Sequence, residues 1–226
     1  MESNHLTHLE ESLPSYWYYD KDFFKKEVAN IWENHWIYVC HKSRIEENLA
    51  FVTIKLANQN ILVLRDSEGS LKAYFNTCRH RGSILCDQET GVVGSKLLRC
   101  PYHQWAYSVD TGELISVASF SKNPEGFDKS EFSLFNVAVE EWRGFIFINL
   151  NENALWNPDE IFQRSPSAFN NFPVENMVCG HVWEKTIDSN WKSFWENFNE
   201  CLHCPNIHPE LTDLVPMFSN RVINPK

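Results

Sequence analysis

Four residues between positions 78 and 105, in the stretch CRHRGSILCDQETGVVGSKLLRCPYHQW, have the types and spacing of metal ligands. Cys78 and His80 lie two apart, and Cys100 and His103 lie three apart. In extended chain, side chains two apart point the same way, so Cys78 and His80 can face one centre. In the second pair Pro101 fixes φ and blocks helix, and a tight turn brings Cys100 and His103 to one side. Two thiolates and two imidazoles can hold one tetrahedral zinc. They can equally hold a two-iron cluster, with both cysteines on one iron and both histidines on the other. The surroundings favour the cluster: Gly82, Ser83 and Pro101 are small residues or turn formers that leave room for bridging sulfides and for backbone N–H donors. Common zinc fingers pair Cys with Cys and His with His, whereas here each segment supplies one of each.

A second group lies in SNWKSFWENFNECLHCPNIHPE, starting at Ser189. Ser189 or Asn190 can cap a helix whose apolar face is Trp191, Phe194, Trp195 and Phe198. The spacing predicts that this helix runs to Cys204 and ends before Pro205. His203 and His208 are five apart and would not share a helical face, but a break at Pro205 can fold them together. Two such histidines suit a non-haem Fe(II) site of the two-histidine, one-carboxylate kind. Cys201, Cys204 and His208 also have the look of a zinc site, and the histidines can be read as ordinary buried residues.

These ligands need a rigid base. Asp20 can cap a first helix, with Phe23, Phe24, Val28, Ile31 and Trp32 as its core stripe. His35 and His41 read as structural. FVTIKL and NILVLRD are strand-like runs around a turn at 57–59, and a second turn at 66–69 leads to LKAYFNT and so to Cys78. AYSV follows Trp105, and FNVAVEEW with GFIFINL forms one more hairpin about Arg143-Gly144. Residues 151–180, with several prolines, read as a connection, and HVWEKTID from His181 reads as a new strand. The expected organisation is an arm and helix at 1–40, an antiparallel β domain at 41–150, the connection at 151–180 and an incomplete second domain at 181–226.

Composition narrows the function classes. The chain has 226 residues, 43% of them hydrophobic and 14% aromatic, enough for packed cores. A formal net charge of -10 argues against nucleic acid as a partner. No apolar run reaches the ~18 residues of a membrane span. Seven cysteines without an apparent export signal point to a reducing, cytoplasmic setting.

CxHRG followed by CPYHxW resembles the Rieske motif of the oxygenase and ferredoxin type, and Arg81, Gly82, Pro101, Tyr102 and Trp105 match it too. The respiratory type has an extra cysteine in each loop, where this chain has Ser83 and Tyr102. Gly is commoner at the place of Gln104, so the turn after His103 is expected to lean differently. NWKxxxENxxExxHxxxxH downstream is similar to the large (α) subunit of Rieske non-haem iron oxygenases. The resemblance implies an α+β protein: an antiparallel all-β Rieske domain, then the start of a helix-grip-like catalytic domain. It implies a [2Fe-2S] cluster on Cys78, His80, Cys100 and His103, and a mononuclear iron on His203 and His208. It also implies a bridging role between the centres for Glu200. ECLHCPNIHP looks most like the branch that oxidises quaternary ammonium compounds (choline, glycine betaine or carnitine). The implied partners are O2, the substrate, a reductase fed by NAD(P)H and two further copies in a homotrimer. The family's carboxylate iron ligand comes from far downstream of Lys226, so the chain is expected to be a truncated form. A ring-hydroxylating dioxygenase, a stand-alone Rieske electron carrier and a zinc-stabilised binding module are the competing readings. A visible absorption spectrum separates the last from the others.

Overall fold

The computed structural model describes residues 11–118, 124–162, 170–199, 202–216 and 218. It divides into two compact units, residues 27–182 and residues 1–26 with 183–226.

The described residues of the larger unit form ten short antiparallel strands. A four-stranded sheet has the order β4-β3-β2-β5, from β2 (Ala50–Leu56), β3 (Gln59–Arg65), β4 (Leu71–Phe75) and β5 (Thr90–Val92). A three-stranded sheet orders β6 (Leu97–Arg99), β7 (Ala106–Ser108) and β8 (Leu114–Ser116). The third sheet runs β1-β10-β9, from β1 (Ile37–His41), β9 (Ala138–Trp142) and β10 (Phe145–Asn149).

Why β3 is central can be read from its side chains. Ile61, Leu62, Val63 and Leu64 are all fully buried, as expected of a strand covered on both faces. Leu62 and Leu64 enter one core with Phe51, Tyr74, Trp105 and Tyr107, and that core also contains Cys78 and Cys100. Ile61 and Val63 enter a second core with Cys40, Ile45, Ile146 and Ile148. The alternation of a single strand therefore ties the ligand-bearing half of the domain to the other sheet.

The tight turns follow their sequences. Arg143 (φ 50°) and Gly144 (φ 88°) give the two left-handed residues that join β9 to β10 as a hairpin. A Cβ on Gly144 would stand 2.6 Å from His41 Nε2, so glycine is required there for space as well as for φ. His41 in turn donates from Nε2 to the carbonyl of Val174 at 3.1 Å, and the Cys179 N–H donates to Ser43 Oγ at 2.9 Å. Residues 174–179, read from sequence as connection, are thereby fastened to the β1 end of the domain.

In the smaller unit Asp20 caps α1 (Lys21–Glu27) by accepting from the Phe23 N–H at 2.7 Å. Asn190 caps α3 (Trp191–Phe198) by accepting from the Lys192 N–H at 3.0 Å, and its own amide donates to the Tyr18 carbonyl at 3.0 Å. Tyr18 Oη also hydrogen-bonds Glu196. Lys192 is buried, its ammonium 5.3–5.8 Å from the ring centres of Trp191, Tyr18 and Phe23.

Two local expectations fail. The strand from His181 does not form: residues 181–189 are exposed and join no ladder. An alternating sequence becomes a strand only where a partner takes its backbone groups, and no described residue does. The helix from Trp191 ends at Phe198 rather than Cys204. Pro205 does not terminate it but stands in the first turn of a new helix, α4 (Cys204–Ile207), where a missing N–H is harmless. A last helix, α5 (Pro209–Leu214), follows at once, and α2 (Pro158–Ile161) is a single turn in the larger unit.

Candidate metal centres

Two loops carry the four predicted ligands. The first leaves β4 and is shaped by Asn76, which is 1% exposed. Its amide donates to the Cys86 carbonyl at 2.7 Å, and its Oδ1 accepts from the N–H groups of Leu85 and Cys86 at 3.2 and 3.0 Å. Inside that clasp the Cys78 N–H donates to the Ser83 carbonyl and the Gly82 N–H to the Cys78 carbonyl, with Gly82 at φ 74°. Arg79 points away from the ligands: it donates to the Ser133 carbonyl at 2.8 Å and lies 3.9 Å over the Phe135 ring. The second loop joins β6 to β7. It closes with the Cys100 N–H donating to the Trp105 carbonyl at 2.8 Å and the Gln104 N–H to the Cys100 carbonyl at 3.1 Å. Gln104 takes φ 59°, so the turn keeps the left-handed form that glycine favours, with a longer side chain held in it.

The loops bring all four side chains together in two layers. Cys78 and Cys100 lie inside, 2% and 1% exposed. His80 and His103 lie half-buried, their ring centres 4.7 Å apart and their planes at 74°. Three buried side-chain nitrogens among the described residues lack a hydrogen-bond partner, and two of them are His80 Nδ1 and His103 Nδ1. Leaving a buried polar atom unsatisfied costs about 1–3 kcal/mol. Two side by side, next to two buried thiols, are what a bound metal centre would satisfy.

A single zinc fits less well. Among the described residues no three His, Cys, Asp or Glu side chains converge as one metal ion requires. A two-iron cluster needs only two protein ligands on each iron, which is the paired, layered arrangement seen.

The electrostatics agree. Burial pushes the Cys78 thiol up, opposed by hydrogen bonds from Tyr107 and the His80 backbone that favour thiolate. At Cys100 burial acts the same way but is outweighed by backbone N–H groups of His103 and Tyr102 and by the Cys78 and Ser83 side chains, which hold it below its ordinary value. Burial, His103 and Arg81 lower the His80 pKa, which favours the neutral imidazole that a metal needs.

Tyr107 was not singled out by sequence. It is fully buried, its hydroxyl accepts from the Arg79 N–H at 3.1 Å, and it lies 3.2 Å from Cys78 Sγ. Burial and Cys78 raise its pKa far above the usual phenol value. A tyrosine seven residues after a ligand cysteine, inward-facing on β7, is the signal that marks it.

In the smaller unit His203 precedes α4 and His208 follows it, with ring centres 5.5 Å apart at 75°. The expected approach is therefore met through a one-turn helix that starts at Cys204, not through a broken one. Cys204 is buried and Asp213 is exposed. Glu200 and Cys201 lie outside the described residues. His203 lies beyond the end of α3.

Comparison with known proteins gives one family match over each part of the chain. Residues 35–131 match the family described as Rieske [2Fe-2S] domain, and residues 174–224 match Ring hydroxylating alpha subunit (catalytic domain). A Rieske-domain match is thus followed, in the same chain, by a match to the catalytic domain of ring-hydroxylating α subunits. The chain is 30% identical over 205 residues to a carnitine monooxygenase oxygenase subunit of Escherichia coli, a match covering 90% of this chain and 54% of that protein. It is 34% identical over 202 residues to a glycine betaine monooxygenase oxygenase subunit of Pseudomonas aeruginosa, covering 88% and 45%. A crystal structure of a quaternary ammonium Rieske monooxygenase superposes with a TM-score of 0.82 at 30% identity, over 89% of this chain and 56% of the other. The chain thus spans about half the length of the relatives it matches. None of its described helices is long and apolar enough to cross a membrane.

Proposed function

We propose that this chain provides the electron-delivering half of a Rieske oxygenase acting on a quaternary ammonium compound. Cys78 and Cys100 would hold the inner iron of a [2Fe-2S] cluster, and His80 and His103 the outer one. His203 and His208 would hold a mononuclear iron, together with a carboxylate that no described residue supplies. The cluster would contribute single electrons and the mononuclear iron would contribute O2 chemistry at its open positions.

The chain's own residues do the rest. Asn76 fixes the first loop, and the backbone of the second aims N–H groups at the Cys100 sulfur. Tyr107, accepting from the Arg79 N–H, has its own proton free for Cys78 Sγ. Glu200, close in sequence to His203, would link the mononuclear site to a neighbouring copy's cluster in a cytoplasmic homotrimer supplied by a reductase. The substrate class is supported by Glu200 within ECLHCPNIHP and by relatives named for carnitine and glycine betaine. A quaternary ammonium group is held by aromatic faces at roughly 0.5–2 kcal/mol each.

The pair of unpartnered Nδ1 atoms beside two buried thiols carries the cluster assignment. Iron and sulfide analysis with reduced-state EPR tests it, and His80→Cys is expected to keep two irons while lowering the potential. An unchanged Rieske signal in that variant would count against His80. For the second centre, His203→Ala in a form complete enough to load both metals is expected to lose the mononuclear iron and keep the cluster. Glu200→Gln is expected to keep both and to slow transfer between them. Loss of the mononuclear iron in Glu200→Gln would make Glu200 a ligand. O2 consumption with a neutral aromatic ring, and none with betaine, choline or carnitine, would defeat the substrate class.

A further inference from the structure

His80 and Trp105 come from different loops and lie face to face. Their ring centres are 4.7 Å apart and their planes differ by only 10°. Trp105 is 6% exposed. It is wedged edge-on against Phe132 at 5.6 Å and Phe127 at 6.2 Å, and these two rings stack on each other at 5.0 Å. The indole therefore cannot swing aside without displacing the core beneath it. His80 is only half-buried and its Nδ1 has no hydrogen-bond partner, so ring contacts set its plane: His103 meets it edge-on, and the indole alone lies flat along its face. His103 has no such wall: its neighbour Tyr102 is 63% exposed and meets it at 3.9 Å with a 41° tilt.

We propose that Trp105 is a positioning residue for the redox centre. Its face fixes the plane of His80, and with it the direction of Nδ1, while keeping water from that side of the ring. Ligand orientation and solvent access are two of the levers by which a protein sets the properties of an iron–sulfur centre. The two histidines are thus unequal, one clamped by a buried wall and one bordered by a surface ring. This inference rests on His80 being a cluster ligand.

The test compares three variants of the full chain after cluster loading: Trp105→Phe, Trp105→Leu and Phe132→Leu. The last disturbs the same core without touching His80. Trp105→Phe is expected to keep the wild-type EPR g values, since a flat face remains. Trp105→Leu is expected to shift them and to raise the midpoint potential, because admitted water stabilises the more negative reduced state. Phe132→Leu is expected to leave both unchanged while lowering the Tm. A wild-type spectrum and potential in Trp105→Leu, or an equal shift in Phe132→Leu, would overturn the proposal. If Trp105→Leu takes up no cluster while Phe132→Leu does, His80 is not held without the indole and the proposal stands. Loss of the cluster in both means general collapse of the core and overturns it. A wild-type chain that binds no such cluster refutes the ligand assignment itself, which is a separate result.

Discussion

At the scale of single residues, the four side chains that the two loops bring together were legible and the groups around them were not. Cys78, His80, Cys100 and His103 stand at spacings that only a shared centre explains. Tyr107 looks in sequence like any inward-facing strand aromatic, and its value depends on where two loops meet. Its hydroxyl accepts from Arg79, so it donates to Cys78 Sγ, which as a thiolate has no proton of its own to give. Hydrogen bonds to charged groups contribute about 1.5–3 kcal/mol, and the part that differs between redox states shifts a one-electron potential by 59 mV per ~1.4 kcal/mol. Tyr107→Phe is therefore expected to lower the cluster's midpoint potential by tens of mV, on the order of half to one such step. Redox titration followed by EPR measures it, and an unmoved potential would show that the contact has no electronic weight.

At the scale of elements, hairpins and caps were read correctly because their signals are local. The Arg143-Gly144 turn, the Asp20 cap and the Asn190 cap each depend on a few adjacent residues. The strand from His181 and the end of α3 were misread because their state depends on partners or on competing starts that periodicity does not encode. Gln104 is an intermediate case: a residue with a Cβ stands where the backbone takes a left-handed φ of 59°. Left-handed φ costs a residue with a Cβ roughly 1–2 kcal/mol, and glycine's extra chain entropy returns part of that. Gln104→Gly is thus expected to be neutral or to gain up to about 1 kcal/mol, while Gln104→Val, β-branched in the same turn, loses at least about 1 kcal/mol. Urea unfolding of the two variants checks the pair. Gly144→Ala is expected to lose more, about 2–4 kcal/mol, because the new methyl meets both His41 Nε2 and the backbone of Glu175.

For the molecule as a whole, the double core predicts a pH dependence. Burial pushes the thiols of Cys40 and Cys86 up to about 11, against an ordinary 9.0. In the unfolded chain they ionise near the ordinary value, whereas in the folded chain they stay protonated. The stability they contribute is complete below about pH 9 and is lost progressively as pH rises towards 11. Each group contributes on the order of 3 kcal/mol at most. Urea midpoints of the cluster-free chain should hold steady from neutrality to pH 9 and then fall. Cys40→Ala should start lower and fall less. What sequence could not convey at this scale is that residues 11–26 group with the described residues after 182, while the segment between forms a unit of its own.

The near-complete burial of Cys78 and Cys100 also bears on how the centre is made. The loops close over their sulfurs through the Gly82 N–H on the Cys78 carbonyl and the Gln104 N–H on the Cys100 carbonyl. A donor of iron and sulfide arriving at the folded chain meets a shut door. Maturation then proceeds through brief local opening rather than through capture at the surface, and its speed follows the equilibrium population of the open loops. The amide hydrogens of Gly82 and Gln104 report that population directly. Mild denaturant, too dilute to unfold the domain, is expected to hasten their exchange and cluster insertion together.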